Sequence, residues 1–169
     1  MGIYINPDNT AFIKAVESEI YVDKSLLISF TNKVINTLQS NICVSRPRRF
    51  GKSMAAEMLV AYYSCGSNSR KLFQNLKIAQ HPSFEKHLNK YNVVYLNIPS
   101  FMEDAENASD LIGFIKEDLL DELLRTFSNV QMPKRITLTS VFAAIFDQLK
   151  VPFVFIRDEW DCSFREYKN

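Results

Sequence analysis

The stretch Ser45-Arg46-Pro47-Arg48-Arg49-Phe50-Gly51-Lys52-Ser53 decides the fold that the sequence predicts. The apolar run Ile42-Cys43-Val44 precedes it and predicts a strand, while a helical pattern begins at Met54. Backbone N–H groups at the start of a helix have no intrahelical partner and carry the positive end of the helix dipole. Successive amides can therefore surround phosphate oxygens there, and the order strand, loop, helix predicts a phosphate-binding loop.

The residue types in this loop assign a task to each position. Gly51 lets the backbone approach a phosphate closely, and Lys52 would reach the β- and γ-phosphates of a nucleoside triphosphate. The hydroxyl of Ser53 would bind the Mg²⁺ that bridges those phosphates. The generic pattern G-x-x-x-x-G-K-[ST] has a glycine where this chain has Arg46, so the prediction depends on the surrounding elements as well as on the motif.

A second part of the same site is predicted near the C-terminus. The run at 151–156, Val-Pro-Phe-Val-Phe-Ile, predicts a parallel strand buried on both faces, and Arg157-Asp158-Glu159 follows it. An acidic residue at the end of such a strand holds Mg²⁺ in P-loop enzymes, and a following glutamate can polarise the attacking water. Asp158 and Glu159 fit these two roles. Ligands of open α/β sheets bind beyond the carboxyl ends of strands, so the two parts of the site support each other.

Three segments carry a family resemblance, namely Ile20-Tyr21-Val22-Asp23-Lys24, the arginine-rich loop from Val44 to Ser53, and Phe153-Val154-Phe155-Ile156-Arg157-Asp158-Glu159-Trp160-Asp161. The chain resembles the AAA-ATPase-like family of bacterial proteins over nearly its whole length. Members of that family often carry a restriction-endonuclease-like nuclease domain after the ATPase region. An arginine-rich Walker A loop without its first glycine is the family's own version of the motif.

The resemblance implies an α/β fold of the P-loop NTPase type, a three-layer sandwich with a mostly parallel sheet. It also implies ATP binding, with Mg²⁺-dependent hydrolysis as the reaction. The expected catalytic residues are Glu159 and Lys52, the expected metal ligands are Ser53 and Asp158, and the expected nucleotide contacts are Arg46, Pro47, Arg48, Arg49, Phe50, Gly51, Lys52, Ser53 and Met54.

Arg157 departs from the family, which usually has an aliphatic residue before the aspartate. A charge at a buried strand end costs several kcal/mol unless it is paired or directed to solvent. Two hypotheses follow: either Arg157 pairs with a nearby carboxylate, or hydrolysis is compromised.

The loop arginines admit three interpretations. Arg48 and Arg49 could contact the phosphates of the nucleotide, because guanidinium groups pair well with phosphate. They could instead face a nucleic-acid backbone. They could also pair with a local acid such as Asp23, as surface charge clusters commonly do.

Composition predicts one globular domain spanning residues 1–169. The hydrophobic content of 47% is enough for one core, and a net charge of +1 gives no reason to expect general attraction to nucleic acid or membranes. No apolar run is long enough to cross a bilayer, so we expect a cytoplasmic protein. Cys43, Cys65 and Cys162 are predicted to be reduced thiols, with Cys43 in a core strand. His81 and His87 are predicted on the surface of a helix around 82–90.

Helix and strand patterns alternate along the chain, which argues for a parallel sheet covered on both faces. Helices are predicted near 12–16, 27–38, 54–63, 110–127 and 137–149, and strands at 20–22, 42–44, 92–98 and 151–156. Only ten residues follow Glu159. We therefore expect an N-terminal part of the domain, incomplete after the Walker B strand, with a strand edge left open beside 151–156.

Three functions remain open on the sequence alone. The first is an ATPase, the second is a nucleotide-dependent switch with little or no turnover, and the third is a nucleic-acid-binding module that uses the arginine loop. The expected partners are ATP and, by resemblance, a second copy of the chain and a C-terminal nuclease domain or nucleic acid in the full-length protein.

Overall fold

A computed structural model describes residues 2–45, 47 and 49–162. Within these residues the structure combines helices with two strands, and two of the four predicted strands are formed. In chain order the elements are α1 (Thr10–Val16), α2 (Leu26–Val34), α3 (Lys52–Tyr63), α4 (Arg70–Phe73), a 3-10 helix (Lys77–Gln80), α5 (Phe84–His87), β1 (Asn92–Asn97), α6 (Pro99–Met102), α7 (Ala108–Thr126), α8 (Leu138–Leu149) and β2 (Phe153–Asp158).

The described sheet consists of β1 and β2, which pair in parallel. The register places Asn92 opposite Phe153 and Asn97 opposite Asp158. The other edge of β1 is covered by the N-terminal segment, because Ile5 forms an antiparallel bridge with Val94. Within the described residues no strand pairs with the outer edge of β2, so β2 is an edge strand.

Both faces of this strand pair carry apolar side chains, as alternation along a strand requires. Val93 and Ile156 face a cluster built around α1, α2 and α3, whereas Val94 and Leu96 face a cluster built around α7 and α8. The α/β class and the parallel pairing are therefore confirmed. A three-layer sandwich with a larger sheet stays a prediction.

Buried hydrogen bonds fix α3 against α2. The hydroxyls of Thr31 and Tyr63 lie 2.7 Å apart, and the Tyr63 hydroxyl donates to Asn32 Oδ1 at 2.8 Å. Asn32 Nδ2 donates in turn to the hydroxyl of Tyr62 at 2.9 Å, and Tyr62 donates to the carbonyl of Phe84 at 2.7 Å. Buried polar groups left without partners cost about 1–3 kcal/mol each, so this network favours one position of α3 over others.

Two predicted strands are wrong. Ile42, Cys43 and Val44 form no strand, and their side chains are exposed. Residues 20–22 are likewise outside any strand. A strand needs a hydrogen-bonded neighbour, and within the described residues none lies beside either segment. Cys43 is consequently an exposed thiol and not a core residue.

Other boundaries and environments also differ from the predictions. β2 is not buried on both faces, since it is an edge strand and 55% of Phe155 is exposed. α2 ends at Val34, so Leu38 lies beyond the helix and is fully exposed. His87 is buried, and its Nδ1 lies 2.6 Å from the hydroxyl of Tyr91, whereas a surface position was predicted.

The remaining helix predictions are confirmed, with small shifts at the ends. α3 begins at Lys52, two residues before the predicted start, and α7 and α8 lie where the apolar spacing placed them. Thr137 caps α8 through a hydrogen bond from the Ser140 N–H. No described helix is long and apolar enough to cross a membrane.

Candidate functional site

The candidate site begins at a left-handed turn before α3. Gly51 has φ 72° and ψ 40°, and it is the N-cap residue of this helix. A left-handed residue followed by right-handed ones turns successive N–H groups toward one concave side, which is a favourable place for an anion. Because glycine has no side chain, Gly51 cannot supply a capping oxygen to the first N–H groups of α3. The phosphate-binding loop remains a prediction, to which this turn lends support.

Glycine is the residue that this position favours. The φ of 72° disfavours side chains, and an added Cβ would lie 2.7 Å from Lys24 Nζ. Lys24 donates a hydrogen bond of 2.7 Å to the carbonyl oxygen of Phe50. The loop is thus in contact with a second lysine, which the sequence interpretation did not place in the site.

The acidic side of the site is the end of β2. Asp158 is the last residue of the strand, and only 6% of it is exposed. Side chains alternate along a strand, so Asp158 shares the α3-facing side with Ile156. The N–H of Glu159 donates to Asp158 Oδ1 at 3.0 Å, and Glu159 itself takes a left-handed conformation with φ 50°. The chain turns sharply there, immediately beyond the carboxylate.

A second carboxylate approaches Asp158 from the helix. Burial and the charge of Asp158 raise the pKa of Glu57 on α3 above its usual value. The same two carboxylates, together with burial, raise the pKa of the Tyr95 hydroxyl. Sequence reasoning missed Glu57, although its spacing carries a signal: it lies four residues after Ser53 and therefore on the same side of the helix.

A groove of about 560 Å³ brings several predicted site residues together. It runs between the segment 40–45, α3 and the end of β2, and Lys52, Asp158 and Glu159 all line it. A cation at a helix N-terminus and two carboxylates at a strand end thus meet at one opening. This is the juxtaposition that the two sequence motifs predict.

The other described residues that were predicted to contact the nucleotide are not among those that line this groove. Pro47, Arg49 and Phe50 are exposed residues of the loop, and Ser53 on the first turn of α3 is also exposed. Met54 is half-buried, and its Cε lies 3.6 Å from the position of a Cβ on Gly51. Arg46 and Arg48, both predicted to contact the nucleotide, lie outside the described residues.

The surroundings of two charged residues bear on the hypotheses made from the sequence. Arg157 is exposed, so its guanidinium keeps its hydration and the burial cost does not arise. The Asp23 carboxylate accepts hydrogen bonds from the N–H groups of Ser25 at 2.8 Å and Lys77 at 2.9 Å. Among the described residues no ion pair joins Asp23 to an arginine of the loop.

The donor set fits a magnesium ion that shares its ligands with phosphates. Mg²⁺ is typically bound by one or two protein oxygens together with phosphate oxygens and water. Asp158 and Ser53 offer such oxygens, and the mutual repulsion of Asp158 and Glu57 is what a divalent cation would relieve. Within the described residues no group of three or more His, Cys, Asp or Glu side chains could hold a metal ion by itself.

A left-handed glycine before a helix, a following lysine, and a carboxylate at the end of a parallel strand are compatible with a P-loop-like α/β fold. The chain matches the model of the AAA-ATPase-like family, described as predicted AAA-ATPases, over residues 9–167, and it belongs to this family. Neither a curated protein nor a solved structure matches the chain. Membership supports a nucleotide-binding, ATPase-like role.

The raised pKa of Glu57 predicts a pH-dependent stability difference. A carboxyl group whose pKa is higher in the folded state than in the unfolded state decreases the free energy of unfolding as the pH rises. The decrease begins around the pKa of the unfolded state, and it reaches its full size above the pKa of the folded state. We expect Glu57→Gln to raise the free energy of unfolding at pH 7.

The difference should disappear near pH 4 and below, where both forms of the protein carry a neutral side chain at position 57. Urea unfolding at several pH values, without nucleotide or Mg²⁺, measures the effect. Glu117→Gln, at an exposed glutamate of α7, is the matched control. A Glu57→Gln protein that is less stable than the unmodified one at pH 7 would contradict this prediction.

Proposed function

We propose that the chain binds ATP with Mg²⁺ at the N-terminus of α3 and hydrolyses it. The observation that carries this proposal is that Lys52, Asp158 and Glu159 line one groove. Phosphoryl transfer depends mainly on positioning and on stabilising negative charge. A helix N-terminus, a lysine and a metal-binding carboxylate supply both.

Each element of the site has a role in this proposal. The amides of Gly51, Lys52 and Ser53 hold phosphate oxygens, and the Lys52 ammonium binds the β- and γ-phosphates. Ser53 and Asp158 hold Mg²⁺, which when bound neutralises charge on the phosphates. Glu159 orients the attacking water and accepts its proton.

The loop arginines have a supporting role. Arg49 is exposed beside the loop and takes a left-handed conformation with φ 67°, and its guanidinium can reach phosphate oxygens of a bound nucleotide. Contacts from Arg46 and Arg48 remain part of the proposal. So do self-association, a nuclease domain in the full-length protein and a cytoplasmic location.

One observation favours a nucleic-acid-binding loop as a second candidate. Arg49 and Phe50 are both exposed on the same short loop, and 61% of Phe50 is accessible. A guanidinium and an aromatic ring can contact a phosphate and a base of a single strand. Such binding would weaken with salt and would not be displaced by ATP.

Replacing the loop lysine tests the nucleotide site directly. We expect Lys52→Ala to weaken the affinity for Mg²⁺-ATP by at least about tenfold, which corresponds to about 1.4 kcal/mol, because the ammonium contact to the β- and γ-phosphates is lost. Isothermal titration calorimetry measures the change. Lys71→Ala, at an exposed lysine of α4, should bind like the unmodified protein. Equal binding by the Lys52→Ala protein would place the nucleotide elsewhere.

Replacing Glu159 separates an ATPase from a switch without turnover. We expect Glu159→Gln to keep its affinity for Mg²⁺-ATP and to lower kcat by about 100-fold or more, since the amide cannot accept the proton of the water. Phosphate release in single- and multiple-turnover assays gives the two quantities. If the unmodified full-length protein binds ATP and releases no phosphate in the presence of Mg²⁺, the switch is correct and hydrolysis is not.

A further inference from the structure

A lysine far from the loop in sequence contacts its backbone. Lys24 lies between α1 and α2, and its Nζ donates a hydrogen bond of 2.7 Å to the carbonyl oxygen of Phe50. The same Nζ lies 2.7 Å from the position that a Cβ on Gly51 would take. Lys24 therefore lies against the Phe50–Gly51 peptide, immediately before α3.

We propose that Lys24 is a positioning residue of the phosphate loop, which orients the Phe50–Gly51 peptide for anion binding. In a trans peptide the carbonyl of one residue and the N–H of the next point in opposite directions. While Lys24 holds the Phe50 oxygen on one side, the Gly51 N–H must face the other side. This role rests on the proposed nucleotide site, and it adds a residue on which the geometry of that site depends.

The segment that presents Lys24 is anchored on both sides of it. Asp23 accepts the N–H groups of Ser25 and Lys77, and the fully buried Ser25 accepts the N–H of Ile78 on its Oγ at 3.1 Å. Burial raises the pKa of Asp23, but the hydrogen bonds from Ser25 and Lys77 outweigh it, so the pKa lies below its usual value. The two neighbours of Lys24 thus bind the 3-10 helix, while Lys24 itself reaches the loop.

The roles of Lys24 and Lys52 differ. Lys52 lines the groove with the two carboxylates, whereas Lys24 binds a backbone carbonyl. A hydrogen bond from an ammonium to a carbonyl is charge-assisted and stronger than a neutral one. In this proposal Lys24 acts through the peptide that it holds.

The sequence allows the Phe50–Gly51 peptide to be observed selectively by NMR spectroscopy. The chain has four glycines, and Gly51 is the one that follows a phenylalanine. Labelling phenylalanine with ¹³C at the carbonyl and glycine with ¹⁵N therefore selects the Phe50–Gly51 peptide in a carbonyl–amide correlation spectrum. Hydrogen bonding deshields a carbonyl carbon, so the Phe50 resonance reports the bond from Lys24.

The test compares Lys24→Met, which keeps a long unbranched stem and loses the donor, with Lys24→Arg, which keeps a charged donor. Lys14→Met, at an exposed lysine of α1, is the control. We expect Lys24→Met to shift the Phe50 carbonyl resonance upfield, with and without Mg²⁺-ATP, and to weaken Mg²⁺-ATP binding by about tenfold. Lys24→Arg should restore most of the resonance position and of the affinity, and the control should change neither. Thermal unfolding verifies that each protein is folded.

The outcomes separate this inference from the proposed function. If the unmodified protein binds no ATP, the proposed function fails, and the role of Lys24 in it fails as well. If ATP binds and Lys24→Met leaves either the Phe50 resonance or the affinity unchanged, the nucleotide site stands and the positioning role of Lys24 is wrong. A resonance difference between the unmodified and Lys24→Met proteins that vanishes on adding Mg²⁺-ATP would mean that Lys24 leaves the carbonyl, which also contradicts the positioning role.

Discussion

The amides that begin α3 can face a ligand only because the backbone at Gly51 turns through the left-handed region, with φ 72°. Because the residue at this turn is glycine, the positive end of the helix has no capping side chain over it. Lys24 fills the space where a side chain at Gly51 would lie. A substitution at Gly51 would therefore disturb three features together: the left-handed turn, the start of α3 and the contact from Lys24.

The rest of the fold brings a carboxylate to that helix end. α3 is held to α2 by the buried hydrogen bonds of Asn32 with Tyr62 and Tyr63, and it packs on the face of β2 that carries Ile156. The alternation of side chains along β2 then directs Asp158 to the same face. Neither half of the site could act alone on a triphosphate, because the phosphates and the metal need groups from both.

The sequence predicted the parts of the site that are local in the chain. The loop before α3 and the acidic end of β2 were both visible as short motifs, since each depends on neighbouring residues. The strand at 42–44 was predicted wrongly, because apolar character indicates a strand but hydrogen bonding to a neighbour makes one. Lys24 and Glu57 were missed as site residues because their roles arise from contacts across the fold, although the helical spacing from Ser53 could have indicated Glu57.

The central claim is that the loop and the strand end form a single site for one ligand. The chain contains one tryptophan, Trp160, which lines the groove two residues after Asp158. We would measure its fluorescence while titrating Mg²⁺-ATP into the unmodified protein and into Lys52→Ala. We expect a saturable change that requires Mg²⁺ and that moves to higher ATP concentration in the Lys52→Ala protein. The same titration curve for both proteins, or no change at concentrations where ATP is bound, would contradict it.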